Sequence, residues 1–90
     1  MSHTKNEKAK LLNRVRRIRG QVEAIERALE NEEGCATVLH LITAARGAIN
    51  GLMAEVIEDH IRLHVVEPAK DAVRARGAEE LIEAVQSYLK

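Results

Sequence analysis

From Cys35 to Val65 the chain reads CATVLHLITAARGAINGLMAEVIEDHIRLHV, a stretch without proline and without alternation of β-branched and polar residues. Val38, Ile42, Ala45, Ile49, Leu52 and Val56 recur at steps of 4, 3, 4, 3 and 4, the rhythm of a helix packed along one seam. Leu39, Leu41, Met53 and Ile57 add apolar surface on either side of that seam. A helix apolar on more than one flank must meet more than one neighbour. Its middle (Ala44, Ala45, Gly47, Ala48, Gly51) is built of small residues, which let two backbones approach closely. The pattern predicts one helix over about residues 35–65.

Working outward, Leu11, Val15, Ile18, Val22, Ile25 and Leu29 repeat the same rhythm upstream and predict a first helix over about residues 5–30. The run Asn31-Glu32-Glu33-Gly34 has no apolar residue and ends in glycine, a stop signal for that helix. Downstream, Pro68 interrupts, and residues 67–77 read as a polar loop. Leu81, Ile82, Val85 and Leu89 share one face and predict a third helix over about residues 78–89. Apolar residues make up 46% of the ninety, yet Tyr88 is the sole aromatic. A core of Leu, Ile, Val and Ala with abundant charge suits packed helices. The expected fold is all-α, a single three-helix domain over residues 1–90 that needs partner chains to complete its core.

Four residues stand out as metal-ligand types: His3, Cys35, the only cysteine, and the pair His60 and His64. Residues four apart share one helix face. On a continuous helix, Cys35 and His60 lie about 37 Å apart at roughly 1.5 Å per residue, so one chain cannot bring them to one ion. Two copies of helix 2, antiparallel about a two-fold axis near Gly47 and Ala48, can. Taken singly, a thiol after a glycine or a histidine pair on a helix is a common incidental feature. Their conjunction on a geometry that closes across a dimer is not. One thiolate with two or three imidazoles suits Ni(II), Co(II) or Zn(II). Removal of Met1 ahead of Ser2 would place a free amine beside His3, and a site of more than four ligands favours Ni(II) or Co(II) over tetrahedral Zn(II). His40 falls beside the apolar seam and reads as a polar flank.

The formal net charge is zero but unevenly placed. Between Lys5 and Arg19 stand seven basic residues and one acid, Glu7, a concentration that points to a polyanion partner. Lys10, Arg14 and Arg17 follow one flank of helix 1, with Arg16 and Arg19 on the other side of the seam. Arginine suits bidentate phosphate contact. With one aromatic there is no stacking platform for single strands, so duplex DNA is the expected partner. No glycine-containing helix-turn-helix pattern is visible, so reading leans on backbone and shape. A lone cysteine fits a reducing cytoplasm. No apolar run reaches the ~18 residues of a spanning helix. No nucleophile–base arrangement or phosphate loop marks an enzyme.

Taken together, Arg14-Val15-Arg16-Arg17-Ile18-Arg19-Gly20-Gln21, Cys35, Arg46-Gly47-Ala48-Ile49-Asn50-Gly51-Leu52-Met53 and the His60/His64 pair resemble the CsoR/RcnR family of metal- and stress-sensing repressors. The resemblance covers about residues 5–90. It implies an antiparallel dimer assembled into a disc-shaped tetramer, and operator DNA bound in the apo state by a set comprising Lys10, Arg14, Arg16, Arg17, Arg19 and Arg46. Inducer binding would weaken DNA binding and derepress an efflux or detoxification gene. Copper-sensing members carry cysteine where this chain has His64, and persulfide-sensing members need a second cysteine. Formaldehyde-sensing members pair the family cysteine with an N-terminal proline, whereas residue 2 here is serine. The Ni/Co branch, RcnR- or DmeR-like, combines a histidine near the N-terminus with the Cys-His-His set, which His3, Cys35, His60 and His64 match. Many members have glutamine where His40 stands, which leaves its part open. The rival readings are a formaldehyde-responsive repressor using Cys35 and a metal-storage protein that binds no DNA.

Overall fold

The computed structural model describes residues 5–89. Three α-helices follow in order: α1 (Lys5–Glu30), α2 (Cys35–Ile61) and α3 (Asp71–Tyr88). A π-helical turn, Arg62–Val66, joins the end of α2. The chain divides into two compact units, one ending at Met53 and the other beginning at Ala54.

In the first unit, α1 ends in a Schellman motif. Glu33 N–H donates to the Ala28 carbonyl (2.9 Å) and Glu32 N–H to that of Leu29 (3.1 Å), which satisfies carbonyls the helix end leaves open. The left-handed position is held by Glu32, at φ 54°, while no glycine has positive φ. Gly34 therefore is not the residue that turns the chain; its carbonyl accepts the Val38 N–H (3.2 Å) at the start of α2. A side chain in the left-handed region costs about 1–2 kcal/mol. Glu32→Gly is expected to raise stability by about 0.5–1 kcal/mol once the greater entropy of the unfolded glycine is subtracted. Urea unfolding at fixed protein concentration checks it, and an unchanged or lowered midpoint counts against strain at Glu32.

The fully covered side chains of this unit are small: Ala28 and Ala45 are 1% and 5% exposed. Each heptad seam is split into two rows. Leu11, Ile18 and Ile25 on α1, and Val38 and Leu52 beside Ala45 on α2, are buried or half-buried. The alternate positions, Val15, Val22, Leu29, Ile42 and Ile49, are 45%, 51%, 61%, 44% and 45% exposed. Burying such side chains fully is worth about 1.5–3 kcal/mol each relative to exposure, so one chain realises only part of what its seams offer. A Cβ added at Gly20 or Gly47 would meet nothing within 4 Å, so neither glycine serves close packing inside the chain.

In the second unit, α2 loosens into the π-turn rather than continuing as α-helix to residue 65. Glu67 N–H reaches back five residues to the Arg62 carbonyl (3.0 Å). The cause is Pro68, which has no N–H to offer the His64 carbonyl and crowds a regular turn before it. α3 begins at Asp71, seven residues before the Ala78 that the sequence pattern suggested. Ala72, Ala75 and Asp71 in the first turns favour helix, and Lys70 caps it in extended conformation (φ −88°, ψ 129°). Arg74 ties the two elements, its Nε donating to the Val65 carbonyl at 3.0 Å.

Gly77, read from sequence as the end of a loop, lies inside α3 and is buried. A Cβ there would overlap the His64 carbonyl oxygen and stand 2.7 Å from its carbonyl carbon and 2.9 Å from its Cβ. The carbonyl freed by Pro68 thus seats directly on the Gly77 backbone, a Cα–H···O approach open only to glycine.

Candidate metal site and nucleic-acid face

The four-residue spacing puts the His60 and His64 rings side by side, centroids 4.8 Å apart and planes tilted by 39°. Two imidazoles bound to one ion at metal–nitrogen distances of about 2.0–2.1 Å have centroids roughly 4.5–5.2 Å apart for ligand angles near 90–110°, so this pair is set at a chelating distance. Both residues are half-buried. His60 Nε2 lies 2.9 Å from the Gly77 carbonyl oxygen. His64 Nε2 is buried without a hydrogen-bond partner among the described residues, a state that costs free energy until a partner is supplied. Among the described residues no group of three or more His, Cys, Asp or Glu side chains converges. The pair offers two imidazoles side by side, and among the described residues no third His, Cys, Asp or Glu joins them.

Cys35 opens α2 with a free, exposed thiol. It sits on an apolar groove of about 280 Å³ lined also by Leu29, Glu33, Val38 and Leu39. Cys35 is the first residue of α2 and His60 the last but one. His3 lies outside the described residues. His40 is exposed on α2.

The basic stripe is exposed along α1, but its members are differently engaged. Arg14 reaches across to α2, where a Cβ on Gly51 would stand 3.1 Å from its Nη1. Arg16 donates to Asn13 Oδ1 at 3.1 Å, and Arg19 faces Glu23 at 4.0 Å. Arg17 and Lys10 are exposed and make no hydrogen bond or ion pair among the described residues. Arg46 is exposed on α2. Exposed pairs such as Arg19–Glu23 are worth little and exchange readily for phosphate. Sequence reasoning found the arginines but missed that Arg14 spans two helices; the small Gly51 opposite was the only signal for it.

Residues 7–87 match the family of metal-sensitive transcriptional repressors. The chain belongs to that family. Its members are transcriptional repressors and not enzymes. Along its whole length the chain is 42% identical over 90 residues to the transcriptional repressor RcnR of Salmonella paratyphi B, all of which is covered. It is 52% identical over 93 residues to an uncharacterized protein of Serratia marcescens, again with both chains fully covered. Among solved structures, the formaldehyde-responsive regulator FrmR of Salmonella enterica serovar Typhimurium, in a variant with glutamate changed to histidine, superposes with a TM-score of 0.90 at 45% identity, covering 97% of this chain and 99% of that one. The copper-sensing repressor CsoR of Geobacillus thermodenitrificans, with Cu(I), superposes with a TM-score of 0.91 over 100% of this chain and 94% of that one; at 23% identity it speaks to the fold alone. The all-α fold of the repressor agrees with both. Among the described residues no helix is long and apolar enough to cross a membrane.

Proposed function

We propose that this repressor responds to Ni(II) or Co(II): the apo protein binds duplex operator DNA and metal binding releases it, derepressing a metal efflux gene in the cytoplasm. The observation that carries this reading is the chelating His60/His64 pair with a partnerless buried nitrogen, of which His60 lies on α2, the helix that Cys35 opens. Two protomers with antiparallel α2 helices place Cys35 of one beside His60 and His64 of the other, giving two equivalent sites per dimer. The exposed apolar rows on α1 and α2 supply the surface for that dimer and for its pairing into a tetramer. A thiolate with two imidazoles is a borderline donor set that suits Ni(II) and Co(II) and also admits Zn(II). His3 is the proposed further donor, and in sequence it precedes the arginines of α1.

Cys35 of one protomer with His60 and His64 of its partner would hold the divalent cation, whose coordination bonds would tie the two chains together. His64 would gain the partner its Nε2 lacks, and ligation by His3 would couple the site to the α1 segment that bears Lys10, Arg14, Arg16, Arg17 and Arg19. A coupling of about 1–3 kcal/mol changes DNA affinity by roughly 5- to 150-fold. Titration of Ni(II), Co(II) and formaldehyde into the protein bound to its own promoter DNA tests the reading; release by formaldehyde alone would overturn it. That rival has its own support, the 45% identity to the formaldehyde-responsive regulator together with the exposed thiol.

Arg17 gives a second check. It is the arginine of the stripe with no partner among the described residues, so its loss costs a phosphate contact and disturbs nothing else. Arg17→Ala is expected to weaken the apo complex across all sequences and to reduce the salt slope of log K by about 1. An unchanged slope would remove Arg17 from the DNA face.

A further inference from the structure

We infer that Gly77 of α3 is the positioning residue for the two histidines, acting on both at once through its backbone. A glycine inside a helix is less favourable than alanine, and this one is buried within α3. Its carbonyl oxygen lies 2.9 Å from His60 Nε2. A carbonyl can only accept, so Nε2 carries the proton and Nδ1 keeps the lone pair that a metal needs. Its missing side chain lets the His64 backbone sit where a Cβ would stand, which fixes the turn that sets the 4.8 Å ring separation. Pro68 completes the device, because it cannot donate to the His64 carbonyl and leaves that oxygen free to rest on Gly77. Arg74, one turn earlier on α3, holds the neighbouring Val65 carbonyl at 3.0 Å. α3 thus selects the ring tautomer of one donor and the backbone position of the other, a task usually given to a carboxylate or carbonyl behind a metal-binding histidine.

This role rests on His60 and His64 being ligands, as proposed above, and the test separates the two. In the apo wild-type protein at about pH 8, above the usual imidazole range, long-range proton–nitrogen spectra report which ring nitrogen of His60 is protonated. The expected result is a protonated Nε2; a protonated Nδ1 overturns the positioning role whatever the metal result. Co(II) titration is then compared for wild type, Gly77→Ala and Gly20→Ala, the last having open space around its Cβ. Gly77→Ala is expected to lose about 10- to 100-fold in Co(II) affinity, the usual effect of disturbing the groups behind a ligand. Gly20→Ala is expected to bind as wild type. A folded Gly77→Ala protein with wild-type affinity and the same His60 tautomer overturns the inference. Should Gly77→Ala not fold, the wild-type tautomer decides. Failure of the wild-type protein to bind Co(II) or Ni(II) at all would overturn the proposed function instead, with the tautomer still readable.

Discussion

Cys35→Ala is expected to keep apo DNA binding and to lose metal-driven release, with Ni(II) and Co(II) affinity lowered by more than the roughly 10- to 100-fold typical of changes behind a ligand. The reasoning starts from what the remaining chain offers. His60 and His64 stand at chelating distance, and among the described residues no third His, Cys, Asp or Glu joins them. Without the thiolate the site has one donor fewer and loses its only anionic ligand, and keeps imidazoles alone. Cys35 itself is exposed, at the first residue of α2, so the alanine leaves no cavity and alanine is the better helix former. Folding and the α1 arginines are therefore untouched, and apo DNA affinity stays as it was. Isothermal titration with Ni(II) and a gel shift with and without metal measure the two halves. Full metal release by the variant would remove Cys35 from the site.

Ile49→Glu is expected to dissolve the assembly. Ile49 is 45% exposed in the single chain, and Val15, Val22, Leu29 and Ile42 are similarly open. In the proposed dimer the two-fold axis passes near Gly47 and Ala48, so a carboxylate at position 49 would approach its own symmetry mate inside an apolar seam. An unpaired buried charge costs several kcal/mol, and the symmetry imposes it twice. The core inside each protomer is too small to compensate, its fully covered side chains being Ala28 and Ala45. Sedimentation should show loss of the oligomer, accompanied by loss of helical signal as the separated chain unfolds. Ile49→Leu should retain the assembly. A Glu variant with wild-type mass would show that this row faces solvent in the working protein.

Much of this was legible in the residues themselves. The two 4-3 rhythms placed α1 and α2, because a seam of Leu, Ile and Val needs no tertiary knowledge to be seen. Which half of each seam the chain covers itself could not be read, since Val15 and Ile18 look alike until the packing is known. Gly34 looked like the turning residue, yet the left-handed conformation falls on Glu32; the motif's hydrogen bonds fix the position by counting from Ala28 and Leu29, not by residue type. Gly77 misled for the opposite reason. As a breaker signal beside a charged run it hid the first half of α3, while its real reason, a close approach to the His64 backbone, is a long-range fact. The π-turn had one local cause, Pro68, but its consequence for where the His64 carbonyl rests depends on α3. The histidine pair was found from spacing alone, and the hydrogen bond that orients His60 was not, because the acceptor is a backbone carbonyl and leaves no mark in sequence.

The central claim is that the metal site is shared between protomers, and subunit mixing tests it most directly. Cys35→Ala and His64→Ala proteins, each defective alone, are unfolded together, refolded at equal concentration and loaded with Co(II). In a mixed dimer, Cys35 from one chain meets His60 and His64 from the other, so one of the two sites is whole. Random pairing is then expected to restore about a quarter of the wild-type thiolate–Co(II) absorption. A mixture that shows no more absorption than its two components would mean that the ligands do not meet across the dimer, and would contradict the account.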